Sequence, residues 1–217
     1  MLDSLLQKGK RAKLVKEISG KFAYDNQVLM AMSVVPRHLF VDIGLDHLAY
    51  EDKPLPIAAK QTISQPSTVA MQTHLLGIKR GDKVLEIGTG CGYQTAILAH
   101  MGARVYSIER QRELYIAAQK NLAKTEYDKP ILFFGDGYAG LPQFAPFKAI
   151  IVTCGAPDIP QDLLMQLEIG GRMVIPLGEQ ENGQQLAVIT RKSELEFDKQ
   201  MAGRCSFVPM LQGVVKR

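Results

Sequence analysis

The stretch Val84-Leu85-Glu86-Ile87-Gly88-Thr89-Gly90-Cys91-Gly92-Tyr93 decides how the rest of the chain is read. Residues 84–87 suit a buried strand, and three glycines follow at alternate positions. Tyr93-Gln94-Thr95-Ala96-Ile97-Leu98-Ala99-His100 then repeats its apolar residues at helical spacing. The expectation is strand, tight turn, helix. Glycine there lets the backbone take positive φ and lets a ligand approach the main chain without striking a Cβ atom. A plain strand-to-helix turn with no ligand is the alternative.

Both dinucleotide enzymes and S-adenosylmethionine enzymes place a ligand over the first turn of an open α/β sheet, so Gly-x-Gly alone does not choose between them. The dinucleotide fingerprint wants a third glycine five residues after the first, for pyrophosphate on a helix N-terminus. That position is Tyr93, and the third glycine is Gly92. S-adenosylmethionine has no phosphate and carries a sulfonium cation, for which a nearby carboxylate such as Glu86 is welcome.

With 217 residues and 46% hydrophobic content, the chain suits one large domain with a sizeable core. Its net charge of +4 comes from basic residues interleaved with acidic ones, which does not by itself imply nucleic acid. Cys91, Cys154 and Cys205 are odd in number, far apart and without metal-site spacing, which suits free thiols in a reducing compartment. No signal-peptide core and no run of membrane-spanning length is present. A soluble, cytoplasmic protein is expected.

Leu14, Val15 and Ile18 among lysines predict a short amphipathic helix over 11–18 that ends at Gly20, its basic face solvated. Asn26 is a candidate cap for a second, stopped by Pro36. Between Pro36 and Ile57 no regular element is expected, since Pro54 and Pro56 force an extended path. Gln61-Thr62-Ile63-Ser64-Gln65 should then form a loop before a helix with Pro66 in its first turn, where Thr62 and Ser64 could simply serve helix-start hydrogen bonds.

After the glycine turn a strand over 105–108 leads to Glu109, 21 residues after Gly88, where an acid can accept both ribose hydroxyl hydrogens. An exposed ion pair with Arg110 is the alternative. A helix over 111–123 and a strand over 131–134 precede Gly135-Asp136-Gly137. Asp136 could accept from an adenine amino group or merely make a turn. Strands over 149–152 and 172–176 flank a helix over 161–167, and strands over 186–190 and 195–197 with an extended piece at 207–210 form an antiparallel tail. The predicted fold is a doubly wound, mainly parallel α/β sheet, Rossmann-like, with N-terminal helices and an antiparallel C-terminal edge.

Nucleophile and metal signatures are missing. There is no Gly-x-Ser-x-Gly elbow, and His38, His47, His74 and His100 lack paired metal spacing. Methyl transfer needs neither. Its donor is already activated, and a carboxylate acceptor with a pKa of about 4 needs no general base at neutral pH.

Leu48-Ala49-Tyr50-Glu51-Asp52-Lys53-Pro54-Leu55-Pro56-Ile57, Gln61-Thr62-Ile63-Ser64-Gln65-Pro66, the glycine turn through Gln94, Gly135-Asp136-Gly137, Gly170-Gly171-Arg172-Met173-Val174-Ile175-Pro176 and Phe207-Val208-Pro209 closely resemble, in order, the protein-L-isoaspartate (D-aspartate) O-methyltransferases. The Thr-Ile-Ser-Gln-Pro segment is specific to that family. The resemblance implies one methyltransferase domain over 1–217. Its parts would be N-terminal helices and an active-site loop in 1–80, a donor-binding core in 81–176 and C-terminal strands in 177–217.

It implies Ser64 as the active-site serine, with Gln61, Thr62, Ile63 and Gln65 in the loop that encloses donor and acceptor. Glu86, Gly88, Gly90 and Gly92 would surround the methionine part of S-adenosylmethionine, Glu109 and Arg110 its ribose side, and Asp136 and Gly137 its adenine side. Ile63, Ser64, Gln65, Val208 and Pro209 would bind an isoaspartyl peptide. The implied product is S-adenosylhomocysteine, with no metal, nucleic acid or membrane involved and a monomeric enzyme. Two readings stay open beside it: a methyltransferase for a small molecule or RNA, which would not need residues 62–65, and a non-catalytic nucleoside-binding module. Cys91 stands where the family often has serine, and Cys154-Gly155 where it often has Ala-Gly or Ala-Ala.

Overall fold

The computed structural model describes residues 3–125, 127, 129–179 and 183–216. Helix α1 (Leu5–Ser19) starts earlier than its apolar spacing predicts, because Ser4 caps it by accepting the Gln7 N–H. Its only buried side chains are Arg11, Leu14 and Ile18. Arg11 departs from the expected solvated basic face: its guanidinium forks onto Asp3 and also donates to Tyr50 Oη. Helix α2 (Asn26–Val34) is capped by Asp25, whose carboxylate accepts the Gln27 N–H, so Asn26 is the first helical residue rather than the cap.

The stretch from Pro36 to Ile57 is more regular than expected. It holds two short 3-10 helices, Arg37–Phe40 and Ile43–Leu48, and strand β1 (Leu55–Ile57). The prolines extend the chain as anticipated, and the extended chain finds a partner in β2 (Gln61–Ile63) across an antiparallel hairpin. Helix α3 (Pro66–Leu76) follows, with Gly77 closing it at φ +63°.

Short apolar runs then alternate with helices: β3 (Lys83–Ile87), α4 (Tyr93–His100), β4 (Arg104–Glu109), α5 (Arg112–Leu122), β5 (Ile131–Phe134), β6 (Phe147–Val152) and α6 (Gln161–Met165). Strands β7 (Leu167–Leu177), β8 (Gln184–Arg191) and β9 (Phe197–Cys205) complete a seven-stranded sheet ordered β5-β4-β3-β6-β7-β8-β9. The first five strands in that order are parallel, while β8 and β9 add antiparallel. The predicted helix over 161–167 stops at Met165, and Leu167 pairs with Phe147 instead. The predicted strand at 195–197 is displaced: Leu195 lies 85% exposed in a turn, and β9 begins at Phe197.

Period-two alternation divides the core between the sheet's two faces. Val84, Val105, Ala149, Ile151 and Val174 pack with Leu76 and Leu98 on one face. Leu85, Ile108, Ile150, Val152 and Met173 pack with Leu163 and Leu164 on the other. Burying one such aliphatic side chain stabilises the fold by about 1.5–3 kcal/mol, which explains why the central strands read as continuous apolar runs. The chain runs β3, β4, β5 to one side and then returns to β6 on the other side of β3. That reversal leaves a crevice at the strands' carboxyl ends, the usual ligand position in such sheets.

Candidate active site

An open cleft, about 870 Å³ of empty space when its solvent-open mouth is included, occupies that crevice. Its floor comes from the ends of β3, β4 and β6 and its walls from the β1–β2 hairpin and residues 208–211. The glycine turn has the backbone that its sequence suggested, with φ +95° at Gly88 and +56° at Gly90. A Cβ on Gly88 would meet Thr153 Oγ1 at 2.6 Å, so the residue must be glycine for the turn to close against β6. Gly92, also at positive φ, has a different duty. It is absent from the cleft wall and lets α4 approach Leu122 and Ala118 of α5.

Glu109 lies on the cleft wall, 4% exposed. One carboxylate oxygen accepts the Gly90 N–H and the other the Gln111 N–H, each at 2.8 Å. Burial raises its pKa, and these bonds, strongest from Gln111, oppose the rise. Each oxygen keeps a lone pair for a further donor such as a sugar hydroxyl. The alternative ion pair does not form, because Arg110 turns away and donates to the carbonyls of Gln212 and Gly213.

Glu86 is placed otherwise than a sulfonium contact requires. It is fully buried, outside the cleft lining, and accepts from Thr95 Oγ1 at 2.5 Å beneath α4. Burial drives its carboxyl up to about 7 against the hydrogen bonds of Thr95 and Ser107. Asp136 also lies outside the lining: Oδ1 accepts the Tyr138 N–H and Oδ2 the Gly213 N–H. Gly137 does line the cleft, where a Cβ would strike Ile87 Cγ2 at 2.5 Å.

Gln61, Thr62, Ile63 and Ser64 all face the cleft, whereas Gln65 does not. Ser64 has no hydrogen-bond partner among the described residues. The bond expected of it at the start of α3 is supplied from a distance, since Asp52 Oδ1 accepts the Ser67 N–H at 2.8 Å. Lys21 holds the other Asp52 oxygen at 2.7 Å, and Asp52 stays below the usual carboxylate range through these bonds despite partial burial. Sequence reading missed Asp52 as the cap because the contact spans fifteen residues. It also left Gln94, Gln111 and Met210 unassigned, and all three line the cleft. Gln94 alone carried a signal, as part of the glycine-turn motif.

Val208 and Pro209 also line the cleft. Cys91 shares the lining but is buried, its thiol pushed up to about 11, so thiolate is scarce at neutral pH. Among the described residues lining the cleft there is no histidine, lysine or aspartate, and Glu109 is the one acid.

The sequence pattern of the family described as Protein-L-isoaspartate(D-aspartate) O-methyltransferase matches residues 8–215. A Christiangramia forsetii protein named Protein-L-isoaspartate O-methyltransferase is 54% identical over 212 residues, covering 98% of this chain and 99% of that one. A solved protein-L-isoaspartate O-methyltransferase superposes with a TM-score of 0.82 at 28% identity, over 92% of this chain and 65% of that longer one. A Plasmodium falciparum structure described as a β-aspartate methyltransferase in complex with S-adenosyl-L-homocysteine shares the fold, with a TM-score of 0.81 at 24% identity over 94% of this chain and 98% of that one. The cleft thus belongs to a fold and a sequence pattern already joined in other proteins, and the chain is a member of the protein-L-isoaspartate (D-aspartate) O-methyltransferase family.

Proposed function

We propose that the chain transfers a methyl group from S-adenosylmethionine to the α-carboxylate of L-isoaspartyl residues in damaged proteins, acting as one methyltransferase domain over 1–217. The observation that carries this reading is a cleft with an unpartnered serine hydroxyl on one wall, a bare glycine turn on its floor and no neutral general base. An acceptor entering such a site must arrive already ionised, and a carboxylate does so at neutral pH.

The residues present fit the donor. Gly88 and Gly90 would admit its amino-acid part against bare main chain, Glu109 would accept from its ribose hydroxyls, and Gly137 would flank its base. When bound, S-adenosylmethionine supplies an electrophilic methyl group on sulfur. The protein's part is placement: Ser64 donates to one carboxylate oxygen and so orients the other, while Ile63, Val69 and Met210 exclude water. The products are the methyl ester and S-adenosylhomocysteine. Attack by the following backbone nitrogen on the ester carbonyl expels methanol and closes a succinimide, which water reopens in part as normal aspartate.

The expected outcome with donor labelled in its methyl group and an L-isoaspartyl peptide is label in an ester that mild alkali releases as methanol. Ser64→Ala should lower turnover at least tenfold while S-adenosylhomocysteine affinity, read by calorimetry, changes less than threefold. Alkali-stable label would contradict carboxyl transfer, and equal loss of both quantities would make Ser64 part of the donor site.

A further inference from the structure

The wall formed by Val208 and Pro209 lies outside the seven-stranded sheet, so its position needs a separate cause. Two anchors supply it. Gly155, just past β6, donates its N–H to the Val208 carbonyl at 2.8 Å and accepts the Met210 N–H at 2.7 Å. Gln184, at the start of β8 and 3% exposed, grips the preceding residue: its Oε1 accepts the Phe207 N–H at 2.6 Å, and its Nε2 donates to the Phe207 carbonyl at 3.2 Å. One side-chain amide thus pairs with both polar groups of one residue, as a neighbouring strand would.

The two anchors are built around each other. A Cβ on Gly155 would sit 2.0 Å from Gln184 Nε2, so glycine at 155 is what gives the amide its place. Among the described residues, the Pro209 carbonyl is left with no partner, on a segment that lines the same cleft as Ser64. Phe207 and Met210 are buried at 6% each and fix the segment from beneath.

We propose that Gln184 is a positioning residue for the acceptor: by pairing with the Phe207 main chain it holds residues 208 and 209 as a rigid edge on which an extended isoaspartyl peptide docks through its backbone. This rests on the proposed function. Gln184 bonds Phe207, whereas Glu109 bonds Gly90 and Gln111, so the two sets share no hydrogen bond and loss of the amide acts on acceptor binding and spares the donor. A merely structural role would weaken both together.

The test uses the full chain and two substitutions that attack the pair from opposite sides, Gln184→Leu and Gly155→Ala. S-adenosylhomocysteine affinity is measured by calorimetry, and kcat and KM with an L-isoaspartyl peptide at saturating donor. Each variant should raise the peptide KM tenfold or more, change the S-adenosylhomocysteine Kd less than threefold and lower kcat by a smaller factor than KM. Gln184→Glu, which keeps the acceptor for the Phe207 N–H, should recover part of the KM. An unchanged peptide KM, a parallel loss of donor and peptide affinity, or loss of the folded state in both variants would overturn the role of Gln184. Failure of the wild-type protein to methylate the peptide would instead contradict the proposed function, so the two ideas fail in different lanes of one assay.

Discussion

Two glutamates, 23 residues apart in sequence, meet opposite fates at the carboxyl ends of adjacent strands. Glu109 ends β4 and turns into the cleft, held by two backbone N–H groups. Glu109→Ala should therefore raise the donor dissociation constant at least tenfold, since losing a charge-assisted bidentate contact costs about 1.5–3 kcal/mol. Calorimetry checks this, and an unchanged constant would remove Glu109 from the donor site. Glu86 sits one residue before the end of β3, where period-two alternation sends its side chain under α4 rather than over the strand end. Spacing from the glycines could not reveal that direction.

The raised carboxyl of Glu86 carries a stability prediction. With a folded pKa of about 7 against 4.5 unfolded, the protonated form is favoured in the fold. Its stabilising share is full below pH 4.5, declines as the unfolded state ionises first, and is gone above pH 7. Glu86→Gln keeps an acceptor for Thr95 Oγ1 and removes the titration. The variant should melt several degrees above wild type at pH 8, show a flatter midpoint between pH 5 and 7, and bind S-adenosylhomocysteine within threefold of wild type. Wild-type and variant melting curves that stay parallel across that range would refute the assignment.

Among the elements outside the main sheet, the β1–β2 hairpin lends the cleft Gln61, Thr62 and Ile63. Its turn places Ala59 at φ 55° and Lys60 at φ 56°, a left-handed conformation that costs non-glycine residues about 1–2 kcal/mol each. Gln61 Nε2 donates back to the Ala59 carbonyl and helps to hold the turn, and Ile57 reaches the glycine turn beneath. Glycine at position 60 relieves the strain but frees the unfolded chain, an opposing term of about 0.5–1 kcal/mol. Lys60→Gly should thus be neutral or up to about 1 kcal/mol more stable in urea unfolding. A loss beyond 1 kcal/mol would mean that the turn is not strained as its dihedrals indicate.

This hairpin was hidden in the sequence because its two strands are three residues each, below the length at which alternation is visible. The β3–α4 unit, in contrast, was legible almost to the residue. Strand hydrophobicity, glycine conformation and helix spacing all agree there, and agreement between levels is what makes a local sequence decisive. Where only one level spoke, boundaries moved, as at α1, α6 and β9.

Across the whole molecule, what the sequence concealed was long-range. Arg110, which lines the cleft, and Asp136, which does not, both clasp the C-terminal segment at Gln212 and Gly213, contacts that no local pattern announces. That segment also pairs Val215 with Gln111, which itself lines the cleft. Asp52 and Gln184 act over 15 and 23 residues, beyond any local pattern. The mainly parallel, doubly wound character of the sheet and its antiparallel C-terminal edge were readable, because alternating strands and helices admit few topologies. The side chains that lock the loops over that sheet were not.

On the proposed function, this cleft methylates a carboxylate found in isoaspartyl but not in normal aspartyl linkages. The most direct measurement is methyl transfer from labelled S-adenosylmethionine to two peptides identical except for one residue, L-isoaspartate or L-aspartate. Transfer to the first at a rate at least a hundredfold above the second is the predicted result. Equal transfer to both, or to neither while S-adenosylhomocysteine still binds, would contradict it.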